Sequence, residues 1–129
     1  MEKNLIEQEY IKASLKSWEI EQSKPFTKTL FKSIAHWNLV LLIAENTYID
    51  KNYSFEKFCI LIPATVASRA TIQRILNELI DLGYVEKYPH HQDHRIKLYF
   101  LSTTGRNLFS DFVKSETEIY SSYHKAIAK

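Results

Sequence analysis

The sequence predicts a mainly α fold with one small β-hairpin. Three observations carry that prediction. The 129-residue chain contains only two Gly and three Pro, too few for the tight turns of a sandwich or barrel. Apolar residues recur at helical spacing along most of its length. That spacing gives way only near residues 84–101, to two short runs rich in β-branched and aromatic side chains. Two Trp, eight Tyr and seven Phe supply more burial than a disordered chain contains.

The first helix is expected over residues 3–22, where Leu5, Ile11, Leu15 and Trp18 keep one face apolar. Ser23-Lys24-Pro25 ends it, because Pro25 disfavours a helical conformation at Lys24. A second helix is expected from about Thr27 to Asn46, with the stripe Leu30, Ile34, Trp37, Leu41 and Ala44. Leu39–Ala44 is apolar on every side, so this helix is expected at the centre. Asp50-Lys51-Asn52 is a polar break. Ser54 can cap a helix from Phe55 to about Leu61, with Glu56 in its first turn and Pro63 just beyond its end. Ser68 can cap a helix from Arg69 to Leu82, whose inward side is Ile72, Ile75, Leu76, Leu79 and Leu82. Gly83 suits the left-handed position past its end.

Tyr84–Tyr88 and Ile96–Leu101 then read as strands, joined by the polar loop Pro89-His-His-Gln-Asp-His-Arg95. Ser102 caps a last helix, about Thr103 to Ala126, with Leu108, Phe112, Ile119, Tyr123 and Ile127 on one face. Helix, short helix, capped helix and hairpin in this order make a winged helix-turn-helix. The expected organisation is an N-terminal dimerisation helix (1–25), a winged helix-turn-helix DNA-binding domain (26–101) and a C-terminal dimerisation helix (102–129). Each terminal stripe needs a covering surface, and a second copy of the chain would provide one.

Net charge is +2, too small to announce a partner, but its distribution is uneven. Residues 65–106 hold six Lys and Arg against four acids, and all four arginines, Arg69, Arg74, Arg95 and Arg106. A lone Cys59 without an apolar leader fits a reducing cytoplasm, and the longest apolar run, Leu39–Ala44, is far too short to cross a bilayer. Cys59 lies in an apolar stretch with no basic residue nearby in sequence and reads as a buried, inert thiol. His36, beside Trp37, reads as a satisfied core histidine. His90, His91 and His94 with Asp93 crowd one loop too closely to close a tetrahedral metal site, so neither metal nor cofactor is expected. There is no phosphate loop, nucleophile elbow or zinc-protease motif, and an enzyme is not expected.

The exposed start of the helix capped by Ser68 carries Arg69, Thr71, Gln73 and Arg74. Arg forks onto guanine, Gln onto adenine, and Thr meets a phosphate or a thymine methyl, so these types suit a helix entering a major groove. The same residues would also suit an ordinary solvated face. The pattern Ser68-Arg-Ala-Thr-Ile-Gln-Arg74, Leu79, Leu82-Gly-Tyr-Val-Glu86, Asp93-His-Arg95 and Leu101-Ser-Thr-Thr-Gly105 resembles the MarR family of bacterial transcription regulators. The resemblance spans roughly residues 65–115 and includes the wing's Asp-x-Arg, with Ser102 where the family usually has Thr. It departs from the family at Phe58–Ala67, which has no Gly and contains Pro63, so a longer or irregular turn is expected there.

The resemblance implies a homodimer on a pseudo-palindromic double-stranded DNA site. One recognition helix per subunit would enter the major groove, and Arg95 would reach the backbone or minor groove, held in shape by Asp93. Two other readings stand beside it: a plasmid or phage replication or partition protein, and a winged-helix interaction module without DNA binding. No residue pattern specifies a small-molecule effector.

Overall fold

Short-range capping builds most of the architecture. The computed structural model describes residues 4–129, so the first residue of the helix expected from residue 3 lies outside the described residues. The elements are α1 (Leu5–Glu21), α2 (Pro25–Leu30), α3 (Ile34–Ile49), α4 (Phe55–Leu61), α5 (Arg69–Asp81), β1 (Val85–Pro89), β2 (Lys97–Leu101), α6 (Thr103–Ile119) and α7 (Ser121–Ala128). The fold is mainly α with a two-stranded antiparallel wing, a winged helix-turn-helix. The chain forms two units, one of Thr29–Asn107 and one of the residues up to Lys28 with Leu108–Lys129.

In the winged unit, the side chains of Ser54 and Ser68 accept the amides of Lys57 and Thr71 and so start α4 and α5. The segment between them is a compact turn in which the Pro63 carbonyl accepts both Val66 N–H (2.8 Å) and Ala67 N–H (3.2 Å). Pro63 thus ends α4 and also provides the acceptor for the turn without any Gly. Ile72, Ile75, Leu76 and Leu79 of α5 pack inward with Leu39, Val40 and Ile43 of α3, Phe58 of α4, and Val85 and Leu98 of the wing. Gly83 sits at φ 83°, as expected past a helix end.

The hairpin pairs Val85 with Leu101 through Pro89 with Lys97. Buried Asn46 ties it to α3, donating to the Tyr99 carbonyl (2.8 Å) and accepting Tyr53 N–H (2.9 Å). Ser102 closes its base: its hydroxyl donates to the Gly83 carbonyl (2.6 Å) and accepts Gly105 N–H (2.9 Å).

Several expectations are corrected. The helix expected from Thr27 to Asn46 is two helices, because the Ser33 side chain accepts His36 N–H and starts α3 afresh. The stripe expected on it holds only in part: Leu30 and Ala44 are buried, but Ile34 is 71% exposed and Leu41 points outward, while His36, Leu39, Val40, Ile43 and Asn46 are buried. Leu82 is exposed rather than inward, being the C-cap of α5 rather than part of its stripe. The last helix is interrupted at Tyr120 (φ −90°, ψ 10°), although its i to i−4 bonding continues through Tyr120 and His124.

In the terminal unit, α1 meets α7 and the distal part of α6 through a polar and aromatic seam. Ser14 Oγ lies 3.0 Å from Tyr120 Oη, Ser17 donates to Glu116 (2.8 Å), and Ser115 donates to Glu21 (2.9 Å). The Tyr10 ring packs on Tyr120 and Tyr123. The buried residues of α1 are Ala13, Ser17 and Glu21. The apolar stripe of this helix instead faces outward, with Ile11, Leu15 and Trp18 all more than half exposed. On α6, Phe112 is buried as expected, whereas Ile127 of α7 is exposed.

Candidate nucleic-acid interface

Burial of the aliphatic face of α5 dictates which side chains it offers outward. With Ile72, Ile75, Leu76 and Leu79 inward, the outer surface is a shallow groove lined by Ala70, Gln73, Arg74, Asn77, Glu78 and Asp81 among others. Arg74 is exposed there, and no hydrogen-bonding or ionic partner holds it among the described residues. It is therefore free to reach a ligand. Gln73 is half-buried and donates from Nε2 to Asn77 Oδ1 (3.1 Å), a contact one helical turn along. Asn77 was not singled out from the sequence. Its position four residues after Gln73 was the available signal.

The start of the helix is more committed. Ser68 Oγ accepts Thr71 N–H (3.1 Å) and donates to Thr71 Oγ1 (3.0 Å), so both hydroxyls serve the cap first. Thr71 is half-buried. Arg69 is drawn to α4: its two Nη atoms donate to the two Glu56 carboxylate oxygens, and its guanidinium lies 5.1 Å from the centroid of the Phe55 ring. The pairing lowers the Glu56 carboxyl below its ordinary range and raises Arg69 further. Arg69 thus staples the two helices of the helix-turn-helix together.

The wing holds a further exposed arginine. Arg95 donates from Nε and Nη2 to the two Asp93 oxygens (3.0 Å each), and its backbone N–H reaches Asp93 Oδ1 (3.1 Å). The hydrogen bonds from Arg95 hold the Asp93 carboxyl low. The Arg95 side chain is 91% exposed, so the fork aims the cation without hiding it. His90 and His91 stack on each other beside it, with ring centroids 4.7 Å apart. The wing pair and the α5 face lie on separate elements of the winged unit.

Two other sequence expectations meet the structure here. His36 is buried and satisfied, with Nδ1 2.7 Å from Ser33 Oγ and Nε2 2.8 Å from Glu78 Oε1. Cys59 is half-buried rather than buried, and Arg69, ten residues on, comes near enough to favour the thiolate slightly. Burial is the larger influence and pushes the thiol up, in line with its apolar stretch, whereas the expected absence of a nearby cation is corrected by Arg69.

No family model matches the chain and no curated protein matches it in sequence. Solved structures match it in fold. A mutant of S. aureus MepR bound to an oligodeoxyribonucleotide aligns with a TM-score of 0.60 and 15% identity, over 99% of this chain and 82% of that one. Streptococcus pneumoniae FabT in complex with DNA aligns at 0.55 and 19% identity, over 81% and 68% of the two chains. A mutant of E. coli MarR complexed with operator DNA aligns at 0.54 and 15% identity, over 88% and 75%. At these identities the likeness is one of fold, and the fold is that of MarR-like winged-helix regulators.

Proposed function

From that fold, we propose that the protein is a homodimeric transcriptional regulator that binds specific double-stranded DNA. The carrying observation is the outer face of α5, where the aliphatic side is fully buried and Arg74 stands free and exposed beside Gln73 and Asn77. These types match guanine and adenine edges in a major groove. Ser68 caps the helix by accepting Thr71 N–H, and the remaining N-terminal amides would meet a phosphate. Arg69 supports the helix through Glu56, and Arg95, aimed by Asp93, would contact the backbone or minor groove.

The outward stripe of α1 supports the homodimer. Ile11, Leu15 and Trp18 are large apolar side chains on one exposed helix face, a patch that a second copy would cover. Light scattering at micromolar concentration is expected to give twice the 15.2 kDa chain mass. Replacing Leu15 and Trp18 by Glu is expected to halve it. For DNA binding the deciding experiment is a footprint of the protein on the DNA upstream of its own gene. A protected segment with two-fold sequence symmetry supports the reading. Protection of an origin-like array favours a replication or partition role, and salt-independent indifference to every duplex favours an interaction module.

A further inference from the structure

The surface proposed to meet DNA contains a carboxylate that charge alone would not put there. Glu78 lies on α5 in the groove that also includes Arg74 and Asn77. A surface facing phosphates gains affinity when such a charge is removed. Both of its oxygens are engaged from the α3 side. Oε1 lies 2.8 Å from His36 Nε2, and Oε2 accepts Lys32 Nζ at 2.9 Å.

His36 is only 3% exposed, and its other nitrogen is engaged as well. Ser33 Oγ accepts His36 N–H (3.1 Å) as the cap of α3, which leaves its one hydrogen for Nδ1 at 2.7 Å. The Glu78 carboxylate oxygen can only accept, so Nε2 donates to it, while Nδ1 faces the Ser33 hydroxyl. A continuous chain of bonds thus runs from the N-cap of α3 to the side of α5. Arg69 ties the first turn of α5 to Glu56 of α4, and Gln73 bonds Tyr99 of the wing. Toward α3, however, the buried side chains of α5 are otherwise aliphatic, Ile72, Ile75, Leu76 and Leu79, a contact with no preferred direction.

We propose that Glu78, held by His36 and Lys32, is a positioning residue that fixes the rotation of α5 about its axis and so the aim of Arg74 and Asn77. The proposal rests on the DNA-binding reading and adds residues that reading does not use. Arg74 and Glu78 are four residues apart and sit about 40° from each other around the helix. A rotation of about 10° moves a side-chain atom about 6 Å from the axis by about 1 Å, enough to spoil a bidentate base contact.

The test compares two variants that remove the same charge. Glu78→Gln keeps an oxygen for His36 Nε2–H, whereas Glu78→Ala keeps nothing. The probes are a duplex selected by the native protein from a randomised pool and a scrambled duplex of equal composition. On the scrambled duplex both variants are expected to bind slightly tighter than native, and alike. On the selected duplex Glu78→Ala is expected to bind about tenfold weaker, with Glu78→Gln between it and native. If Glu78→Ala does not fold, weaker binding of Glu78→Gln to the selected duplex despite its lost charge is the supporting result. Equal tightening of the variants on both duplexes overturns the proposal. Amide hydrogen exchange without DNA provides a separate arm: exchange along Arg69–Asp81 is expected to speed up in the order native, Gln, Ala. Equal rates in all three overturn the tether. A native protein that enriches no duplex overturns the DNA-binding reading instead, and the exchange result separates the two failures.

Discussion

Arg69 and Glu56 form a bidentate ion pair across the helix-turn-helix, with Nη to Oε distances of 2.6 and 2.9 Å. The pair joins the first turns of two helices separated by a Gly-free turn, and the Phe55 ring covers the guanidinium. An arginine that the sequence offers as a DNA contact therefore begins with its fork filled.

Glu56→Gln is expected to release part of that fork. Both side chains are exposed, so stability should change little. The freed cation adds a counterion-releasing contact, and the slope of log K against log salt should steepen by about 1 per subunit on any duplex. Titration at several salt concentrations checks this. An unchanged slope with a weakened complex would mean that Arg69 acts only as the staple.

Arg74 and Arg95 are expected to fail differently. Arg74 stands on the outer face of α5 proposed to read bases, so Arg74→Ala should cost about 1–3 kcal/mol on the selected duplex and much less on a scrambled one. Arg95→Ala should weaken both duplexes alike and lower the salt slope by about 1 per subunit. Asp93→Ala removes the aim but keeps the cation, and should give a milder version of the Arg95 loss. Equal losses from Arg74→Ala on both duplexes would move that residue to the phosphate class.

Two carboxylates are expected to pull the acid stability of the protein in opposite directions. The hydrogen bond from Lys32, then that from His36, holds Glu78 below the ordinary carboxylate range. Its stabilising contribution is therefore present above that range and lost as pH falls through the lowered value. Burial raises Glu116, and the neighbouring Glu21 charge adds to the rise against the Ser17 hydrogen bond. Its contribution runs the other way, present below the unfolded value and lost as pH rises through the raised one. Thermal melting against pH should show Glu78→Gln less stable than native at neutral pH, with the gap closing in acid. Glu116→Gln should be more stable than native at neutral pH, again converging in acid. Parallel curves for all three proteins would contradict both assignments.

Gly105→Ala is expected to destabilise the base of the wing. A Cβ at Gly105 would stand 2.1 Å from the Tyr84 carbonyl oxygen, and that oxygen also accepts Ser102 N–H at 2.9 Å. The obstacle is backbone on both sides, so relief requires the strand or the helix start to shift, at about 1–3 kcal/mol. Chemical denaturation measures it. A variant as stable as native would show that the hairpin base is more compliant than its hydrogen bonds suggest.

What the amino-acid order determined by itself is local. Ser54, Ser68 and Ser102 cap helices because a hydroxyl reaches an amide three residues on, and Gly83 ends one because it alone takes a positive φ there without strain. The change from helical to alternating period similarly marks the wing before any packing is known. The aim of Arg95 by Asp93 is implied by the resemblance of the wing's Asp-x-Arg, and it too is local, with one residue between them. Ser33 shows the limit: its cap is equally local, but a continuous apolar stripe masked it. Only the tertiary structure decided which groups meet across distance. Arg69 reaches Glu56 thirteen residues back, and His36 reaches Glu78 forty-two residues on. It also decided that α1 buries Ser17 and Glu21 and turns Leu15 and Trp18 outward. Periodicity shows that a helix has two faces. Which one turns inward depends on the partner helices, here the Tyr, Ser and Glu side chains of α6 and α7, which match polar groups on α1.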